Sequence, residues 1–245
     1  MANANFNSEV TQMLSQRSLA LMPPVIAIDG PSASGKGTVA ELVAEQLGFN
    51  YLDSGALYRI IALAALNNQI AWHEEVALVA LAQTLNIQFK NNQILLNDAD
   101  VSELVRSENI GRGASEVAVH PLLRTQLLAL QRSFRKAPGL VSDGRDMATV
   151  IFTDAVLKVF LTADVAIRAE RRYKQLIDRG QAADFDAILF DLKLRDERDS
   201  GRSVAPLTQA LDAHLLNTDH LSIAGAVQQV VRWYKTTGSM TSSFA

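Results

Sequence analysis

The chain has 245 residues, of which 48% are hydrophobic and 20% charged. This composition is typical of a folded globular protein and excludes a largely disordered, collagen-like or low-complexity chain. The net charge of −3 argues against a broad surface for nucleic-acid polymers or anionic membranes. The sequence contains no cysteine, which excludes disulfides and a cysteine nucleophile. Arginine outnumbers lysine by 16 to 7, and arginine is the side chain best suited to planar oxyanions.

Residues 1–22 are predicted to form a polar N-terminal extension. The first 16 residues lack a basic segment, and the short apolar stretch that follows ends at Pro23 and Pro24, so we expect no signal peptide. No uncharged apolar run reaches the ~18 residues that a membrane-spanning helix needs. Together with the lack of cysteine, this favours a cytoplasmic protein with no membrane partner, and we expect a monomer.

The first predicted elements alternate between strand and helix. A short apolar, β-branched run at 25–29 predicts a buried strand. It is followed by a glycine-rich loop at 30–38 and by a helix over 39–47, whose apolar residues share one face. A second strand at 49–52 then leads into a helix over 54–66.

The stretch 86–97 has a different pattern. Apolar and polar residues alternate on both sides of an Asn-Asn pair at 91–92, which predicts a β-hairpin. Asp100 and Glu103 resemble a capping box that opens the next helix.

The rest of the chain again alternates strands and helices. The predicted strands lie at 140–142, 156–161 and 214–217, and the predicted helices at 121–136, 165–178, 184–198 and 223–234. This order predicts an α/β fold with a mainly parallel sheet that helices cover on both faces. Residues 168–202 carry 9 basic and 8 acidic residues, so they are expected to form a solvated helix pair or a mobile flap, not core.

The loop at 30–38 matches the Walker A pattern in the required strand–loop–helix context. Its backbone N–H groups and the helix N-terminus favour phosphate, and Lys36 can bridge the terminal phosphates of a nucleotide. Gly37 stands where most P loops carry Ser or Thr, so Thr38 or water would have to contact Mg²⁺. The predicted ATP-binding residues are Gly30, Pro31, Ser32, Ala33, Ser34, Gly35, Lys36, Gly37 and Thr38.

The motifs of other P-loop classes are missing from the sequence. It has neither the Asn-Lys-x-Asp motif of switch GTPases nor the apolar strand ending in Asp-Glu of motor ATPases. A small-molecule kinase needs a second, arginine-lined pocket for an anionic acceptor. Four arginine-bearing segments could form one, at 53–59, 115–124, 143–146 and 195–202. Each also has a simpler interpretation as a helix cap, a turn or a salt-bridged helix surface.

These segments resemble the bacterial cytidylate kinase family, a group of nucleoside monophosphate kinases. The resemblance rests on the P loop, on Asp-Ser-Gly-Ala-Leu-Tyr-Arg at 53–59, on Asp-Gly-Arg-Asp-Met at 143–147 and on Arg-Asp-Glu-Arg-Asp at 195–199, and it spans about residues 24–234. Ala148 departs from the Gly of the family pattern. The resemblance implies transfer of the γ-phosphoryl group of ATP to CMP or dCMP, with Mg²⁺ as cofactor.

The resemblance also implies roles for individual side chains. The implied acceptor-phosphate contacts are Ser54, Arg59, Arg145 and Arg202. The implied cytosine contacts are Ser115, Arg124 and Asp146, and the implied sugar contacts are Arg195 and Asp199. Arg171 resembles a residue that approaches the transferring phosphate, so the implied catalytic set is Lys36, Arg145, Arg171 and Arg202.

A three-part organisation follows from the same resemblance. The expected P-loop core comprises 23–66, 102–167 and 203–245, with a monophosphate-binding insertion that contains antiparallel strands at 67–101 and a short helical lid at 168–202. Two other functions stay open. One is a nucleotide-dependent binding module that has lost transferase activity, and the other is a kinase of the same fold acting on a sugar or a coenzyme precursor.

Overall fold

A computed structural model of the protein describes residues 22–90 and 93–241. Most of the predicted N-terminal extension and the turn at 91–92 lie outside the described residues. The strands are β1 (Val25–Asp29), β2 (Asn50–Asp53), β3 (Ile87–Lys90), β4 (Gln93–Leu96), β5 (Ala99–Asp100), β6 (Leu140–Gly144), β7 (Leu157–Thr162) and β8 (His214–Asn217). The helices are α1 (Lys36–Leu47), α2 (Ser54–Asn67), α3 (Glu75–Thr84), α4 (Glu108–Val117), α5 (Pro121–Ser133), α6 (Val165–Asp178), α7 (Phe185–Ser200) and α8 (Ile223–Thr241).

The five-stranded sheet is parallel and has the order β2-β6-β1-β7-β8. Every residue of the central strand β1 is buried. Because successive side chains of a strand point to opposite faces, Val25 and Ala27 join the apolar cluster around α2, α4 and α5, and Ile26 and Ile28 join the one around α1 and α8. Helices therefore cover both faces of the sheet, which confirms the predicted α/β fold.

The strand register brings three carboxylates to one edge of the sheet. Asp143 of β6 lies opposite Asp53 of β2 on one side and Ile28 of β1 on the other. Asp29 is the last residue of β1 and directly precedes the glycine-rich loop. In parallel α/β sheets, ligands bind outside the carboxyl ends of the strands, at the point where the order of the strands reverses. In this sheet that point lies at β1.

The smaller sheet confirms the predicted hairpin. β3 and β4 pair antiparallel with Ile87 opposite Leu96, and β5 adds a short third strand. The helix α3 that precedes it was not predicted. Its sequence has apolar residues on most of its surface and only Leu78 is fully buried, so it lacks a clear amphipathic period.

The predicted capping box at Asp100 and Glu103 is wrong. The Val101 amide donates to the Ile94 carbonyl at 2.9 Å, which keeps Asp100 in the small sheet. The Asp100 carboxylate instead accepts hydrogen bonds from the amide and the hydroxyl of Ser102, at 2.9 and 2.6 Å. The next long helix, α4, starts later and is capped by Ser107.

The highly charged segment 168–202 forms the predicted pair of helices, α6 and α7, but it is not uniformly solvated. Arg168 and Asp199 are 4% and 3% exposed. Arg168 can be buried because it forms an ion pair with Asp196 at 2.6 Å and donates to the Ser32 carbonyl at 3.0 Å. None of the helices in the part of the chain that the structure describes is long and apolar enough to span a membrane.

Gly30 is predicted to be essential for the junction between β1 and the loop. A β-carbon at this position would lie 2.0 Å from the Leu161 carbonyl oxygen, and backbone cannot move aside cheaply. We expect Gly30→Ala to lower the free energy of unfolding by about 2 kcal/mol or more. Urea denaturation measures the loss. Gly48→Ala is the control, because a β-carbon there meets no atom within 4 Å and only its positive φ of 67° opposes the change; an equal loss in both variants would contradict the steric account.

Candidate active site

The glycine-rich loop runs from the end of β1 to the start of α1. Ala33 and Gly35 both have positive φ, at 58° and 89°, and these conformations curl the loop back over the helix. Gly35 occupies the N-cap position of α1, where it has no side chain to occupy the first amides of the helix. These N–H groups, together with the helix dipole, form an anion-binding site.

Two adjoining cavities open at this edge of the sheet. The larger has a volume of about 900 Å³ and lies between the loop, α4, α6, α7 and the start of α8. The smaller has a volume of about 210 Å³ and lies between the loop and the ends of β2 and β6. Both cavities share the side chains of Ser32, Lys36, Arg59, Arg145 and Arg195 in their walls. A group bound in one cavity would therefore lie next to a group bound in the other.

Most of the predicted ATP-binding residues line the larger cavity. Residues 32–38 contribute to its wall, whereas Gly30 and Pro31 are buried and contribute to neither cavity. Arg171 also lines the larger cavity, where its guanidinium donates to the Thr218 carbonyl at 2.5 Å and to its hydroxyl at 3.1 Å. Arg171 thus shares the larger cavity with Lys36 and Arg145, but unlike Arg202 it does not line the smaller cavity.

All the side chains predicted to bind the acceptor line the smaller cavity. They are Ser54, Arg59, Ser115, Arg124, Arg145, Asp146, Arg195, Asp199 and Arg202. They come from four separate segments of the sequence, and the fold brings them around one space. Including Lys36, Asp53 and Asp143, the wall carries six cationic and four acidic side chains, an excess of two positive charges. A phosphate monoester carries about −1.5 to −2 near neutral pH.

Asp199 connects two of the arginines. Its carboxylate accepts from Arg145 Nε at 2.7 Å and also forms an ion pair with Arg202. Arg145 additionally donates to the Ser32 hydroxyl at 2.8 Å, which ties the acceptor cavity to the phosphate loop. Burial would raise the pKa of Asp199, but Arg145 and Arg202 outweigh it and hold that pKa below its usual range.

A second buried pair lies deeper in the smaller cavity. Arg124 donates to the Asp146 carboxylate at 2.5 Å and to the Ala118 carbonyl at 3.0 Å. The Arg124 guanidinium lies 5.4 Å from the centre of the Tyr58 ring, which is a cation–π distance. Ser115 lies in the same wall. This part of the cavity therefore offers both hydrogen-bond donors and hydrogen-bond acceptors.

Arg59 and Arg195 line the cavity as neighbours, and of the two only Arg195 has an ion-pair partner among the described residues, Asp191 at 3.6 Å. Burial lowers the pKa of Arg59, and the neighbouring Arg195 lowers it further. Burial likewise lowers the pKa of Arg195, with Arg145 adding to the effect. Arg59 hydrogen-bonds only a backbone carbonyl among the contacts described, that of Val105 at 2.9 Å. An anion bound between these guanidinium groups would relieve their repulsion.

Unpaired polar atoms support the same conclusion. Among residues 22–90 and 93–241, the Oγ atoms of Ser34 and Ser115 and the Nε atoms of Arg195 and Arg202 are buried and lack a protein partner. Buried polar groups are normally hydrogen-bonded, and unpaired ones mark the place of a missing partner. These four atoms belong to predicted site residues; the other four buried atoms without a partner in the described part of the chain belong to Tyr58, Gln131 and Thr149, which are not among them.

Sequence reasoning missed an acidic cluster beside Lys36. Asp143 lies 3.8 Å from Lys36 Nζ and accepts a hydrogen bond from the Tyr51 hydroxyl at 2.8 Å. Burial, together with the neighbouring Asp53, raises the pKa of Asp143 to about 6. A β-carbon on Gly37 would lie 3.9 Å from both oxygens of the Asp143 carboxylate. The position of Asp143 after a predicted buried strand was visible in the sequence, but the sequence equally allowed Asp143 and Gly144 to form a simple turn.

Arg168 is another residue whose role only the structure reveals. The helical pattern places it on one face with Arg171 and Arg172. The structure turns it inward, where Arg168 Nη1 donates to the carbonyl of Ser32 in the phosphate loop. Arg172 instead forms an ion pair with Glu108 of α4, so the helix pair 165–200 contacts the loop and α4 on opposite sides of the larger cavity.

A phosphate-binding loop at the end of a parallel sheet, beside a second anion-binding cavity, defines a P-loop protein of the nucleotide-kinase class. The sequence model of the cytidylate kinase family matches residues 26–236. The chain is 59% identical over 212 residues to a cytidylate kinase of Paraburkholderia xenovorans, covering 86% of this chain and 93% of the relative. It is also 59% identical over 212 residues to a cytidylate kinase of Polynucleobacter asymbioticus, covering 86% and 96%. The chain belongs to the cytidylate kinase family.

Asp199 is predicted to be necessary for keeping Arg145 and Arg202 together. We expect Asp199→Asn to lower the free energy of unfolding by about 3 kcal/mol, because it leaves two buried cations without their shared counter-charge. Urea denaturation measures the change. Added inorganic phosphate is expected to restore more stability to this variant than to the unaltered protein.

The control is Asp212→Asn, which removes an exposed partner of Lys158. Exposed ion pairs contribute about 0–1 kcal/mol, so this variant is expected to unfold almost like the parent. A similar loss from both substitutions would show that Asp199 does not act through the buried arginines.

Proposed function

We propose that this chain transfers the γ-phosphoryl group of ATP to CMP or dCMP, giving ADP and CDP or dCDP. Family membership supports the reaction class. The observation that carries the assignment is the smaller cavity, in which arginines from four segments of the sequence surround a space that adjoins the phosphate loop. ATP would occupy the larger cavity with its terminal phosphates at Lys36, and the monophosphate would occupy the smaller one.

The reaction needs alignment and charge stabilisation more than proton transfer. The attacking oxygen belongs to a phosphate that is already ionised near neutral pH, so no general base is required. Lys36 and Arg145 line both cavities, where each can contact the phosphates of donor and acceptor. Cations held in place before the reaction stabilise the charge that develops during transfer.

We assign the acceptor phosphate to Ser54, Arg59, Arg145 and Arg202, and the sugar to Arg195 and Asp199. The base is assigned to Ser115, Arg124 and Asp146. A cytosine edge offers an amino donor beside ring acceptors, which suits a carboxylate next to a guanidinium. Uracil has a carbonyl in place of the amino group and would face the Asp146 carboxylate without a donor.

The residues present fit a divalent cation. Gly37 lacks the hydroxyl of most P loops, but a β-carbon at this position would lie 3.9 Å from the Asp143 carboxylate, so that carboxylate borders the same place. Mg²⁺ prefers oxygen ligands and keeps several waters, so Asp143, with Thr38 or Asp53, is a suitable contact beside the nucleotide phosphates. When bound, Mg²⁺ would neutralise charge on the phosphate oxygens. Thr38 alone is a weaker candidate, because it is exposed at the cavity wall.

We further propose that 168–202 acts as a lid and 67–101 as part of the monophosphate-binding region, in a monomeric cytoplasmic enzyme. Closure of the lid would bring Arg171 from Thr218 toward the transferring phosphate and exclude water, which otherwise hydrolyses ATP. The ion pair of Arg172 with Glu108 and the hydrogen bond from Arg195 to the Gly111 carbonyl at 3.2 Å join the lid helices to α4. All four residues line the larger cavity, which supports the lid assignment of 168–202.

A panel of monophosphates tests the proposal. With ATP and Mg²⁺, we expect CMP and dCMP to be phosphorylated well ahead of UMP and AMP in a coupled assay. Arg145→Ala is expected to lower kcat/KM for CMP by about 10³-fold or more, because Arg145 contacts both sites. Arg232→Ala, on the exposed side of α8, is the matched control and is expected to keep full activity.

Each alternative has its own outcome in this assay. A preference for UMP or AMP would remove the base assignment. Phosphorylation of a sugar or a coenzyme precursor, but of no monophosphate, would favour another kinase on the same fold. Nucleotide binding without turnover in the unaltered protein would favour a binding module.

Asp143 is predicted to determine the metal requirement. We expect Asp143→Asn to raise the Mg²⁺ concentration for half-maximal activity by about tenfold or more, because one charged oxygen ligand is lost. Electron paramagnetic resonance of Mn²⁺ with ATP reads out metal binding independently of turnover. Asp186→Asn, at an exposed position of α7, is the control. Unchanged Mn²⁺ binding in Asp143→Asn would remove Asp143 from the metal site.

A further inference from the structure

Asp29 is a buried carboxylate that none of the roles above uses. It is the last residue of β1, it is 2% exposed, and it directly precedes Gly30 of the phosphate loop. It lines neither cavity. Burial of a carboxylate is costly without partners, and burial raises the pKa of Asp29 to about 7. A residue kept at this cost, at the root of the loop, is expected to have a specific task.

Its partners lie on the acceptor side of the site. One oxygen of Asp29 accepts a hydrogen bond from the Met147 amide at 2.9 Å, and the other accepts from the Ala148 amide at 2.8 Å. These are the first two amides of the helical turn Met147–Ile151. Amides at the start of a helical turn lack partners within the turn, so a carboxylate that binds both acts as its cap.

The ordinary cap for this turn would be Asp146. It occupies the N-cap position, and aspartate is among the preferred residues there. However, the Asp146 side chain makes no capping hydrogen bond and is directed to Arg124 at 2.5 Å. Asp29 supplies, from the neighbouring strand, the cap that Asp146 does not.

We propose that Asp29 is a positioning residue for acceptor-base recognition: by capping the turn at 147–151 it leaves the Asp146 carboxylate free to face Arg124. The inference rests on the proposed function, in which Asp146 and Arg124 read the cytosine edge. It also means that one side chain fixes both the start of the phosphate loop and the wall that selects the acceptor.

The physical consequence of losing Asp29 is specific. In Asp29→Asn, one oxygen becomes an NH₂ group, which cannot accept from a backbone N–H. One amide of the turn is then unpaired, and Asp146 is the nearest carboxylate in sequence that can cap it. If the Asp146 side chain turns toward the amides, its carboxylate no longer faces the base. The larger cavity, proposed to bind ATP, keeps all the side chains that line it.

The test compares Asp29→Asn, Asp146→Asn and the double variant in steady-state assays with CMP and UMP. Asp29→Asn is expected to lower the ratio of kcat/KM for CMP over UMP by about tenfold, with a change in KM for ATP of less than about twofold. The double variant is expected to discriminate no worse than Asp146→Asn alone, because Asp29 acts through Asp146. Thermal melting of each variant records whether it is folded at the assay temperature.

Asp164→Asn is the matched control, since Asp164 caps α6 through the Ala166 amide at 2.8 Å far from the base cavity. It is expected to keep the CMP-over-UMP ratio. Should Asp29→Asn be recovered unfolded, Asp29→Glu takes its place: it keeps the charge but displaces the oxygens by one methylene, and the same loss of ratio with unchanged KM for ATP is expected.

The outcomes separate the inference from the function on which it rests. If Asp146→Asn loses discrimination and Asp29→Asn does not, Asp29 has no positioning role and the base assignment stands. If the two losses add in the double variant, Asp29 acts by another route and the inference is wrong. If Asp146→Asn itself discriminates like the parent, the base assignment fails, and the inference fails with it.

Discussion

Repulsion among buried guanidinium groups is the constraint on which the rest of this structure depends. Six cationic side chains surround a cavity of about 210 Å³, and four carboxylates lie between them. Three of these carboxylates pair with a cation: Asp199 holds Arg145 and Arg202, Asp146 holds Arg124, and Asp143 lies beside Lys36. The fourth, Asp53, caps α2 through the Ala56 amide. What remains is an excess of positive charge that a dianionic phosphate can neutralise, in a wall whose geometry exists before the ligand arrives.

The parallel sheet makes this concentration of charge possible. Strands β1, β2 and β6 end at one edge, and the register brings Asp53 and Asp143 side by side there. The apolar clusters on both faces of the sheet keep that edge rigid. The cost of burying charges is thus confined to the edge, where ligands and water can approach, and the central strand stays apolar up to its last residue, Asp29.

The larger and the smaller cavity are not independent parts. Arg145 joins Asp199 to the Ser32 hydroxyl, and Arg168 joins the helix pair 165–200 to the Ser32 carbonyl. Asp29 connects the strand before the phosphate loop to the turn after Asp146. Phosphoryl transfer requires two bound groups to be held in line within a fraction of an ångström. Links between the donor loop and the acceptor wall are a direct way to fix that relation.

Much of this architecture could be predicted from the sequence. The strand–loop–helix pattern at 25–47 specified the phosphate loop, because its glycines permit tight turns and the apolar pattern of the flanking residues predicts a strand before it and a helix after it. The alternation of strands and helices specified a parallel sheet. The arginine-bearing motifs and the family resemblance predicted a set of acceptor-binding side chains, and all of them line the smaller cavity. Helix α3 was not predicted, because its apolar residues follow no clear period. The capping box predicted at Asp100 was wrong, because Asp100 pairs in the small sheet and does not cap a helix.

Only the tertiary structure decided which charged residues pair with one another. An Asp after a strand, as at 29 or 143, has the same local sequence whether it caps a turn, contacts a metal or faces solvent. Arg168 and Arg171 are three residues apart on one helix, yet one supports the phosphate loop and the other borders the larger cavity. The sequence by itself determined the fold, the phosphate loop and the set of candidate side chains, because these depend on local periodicity and residue type. The direction in which each charged side chain points was decided by contacts between residues far apart in the chain. A buried ionised side chain adopts the orientation in which partners of opposite charge offset the cost of its burial.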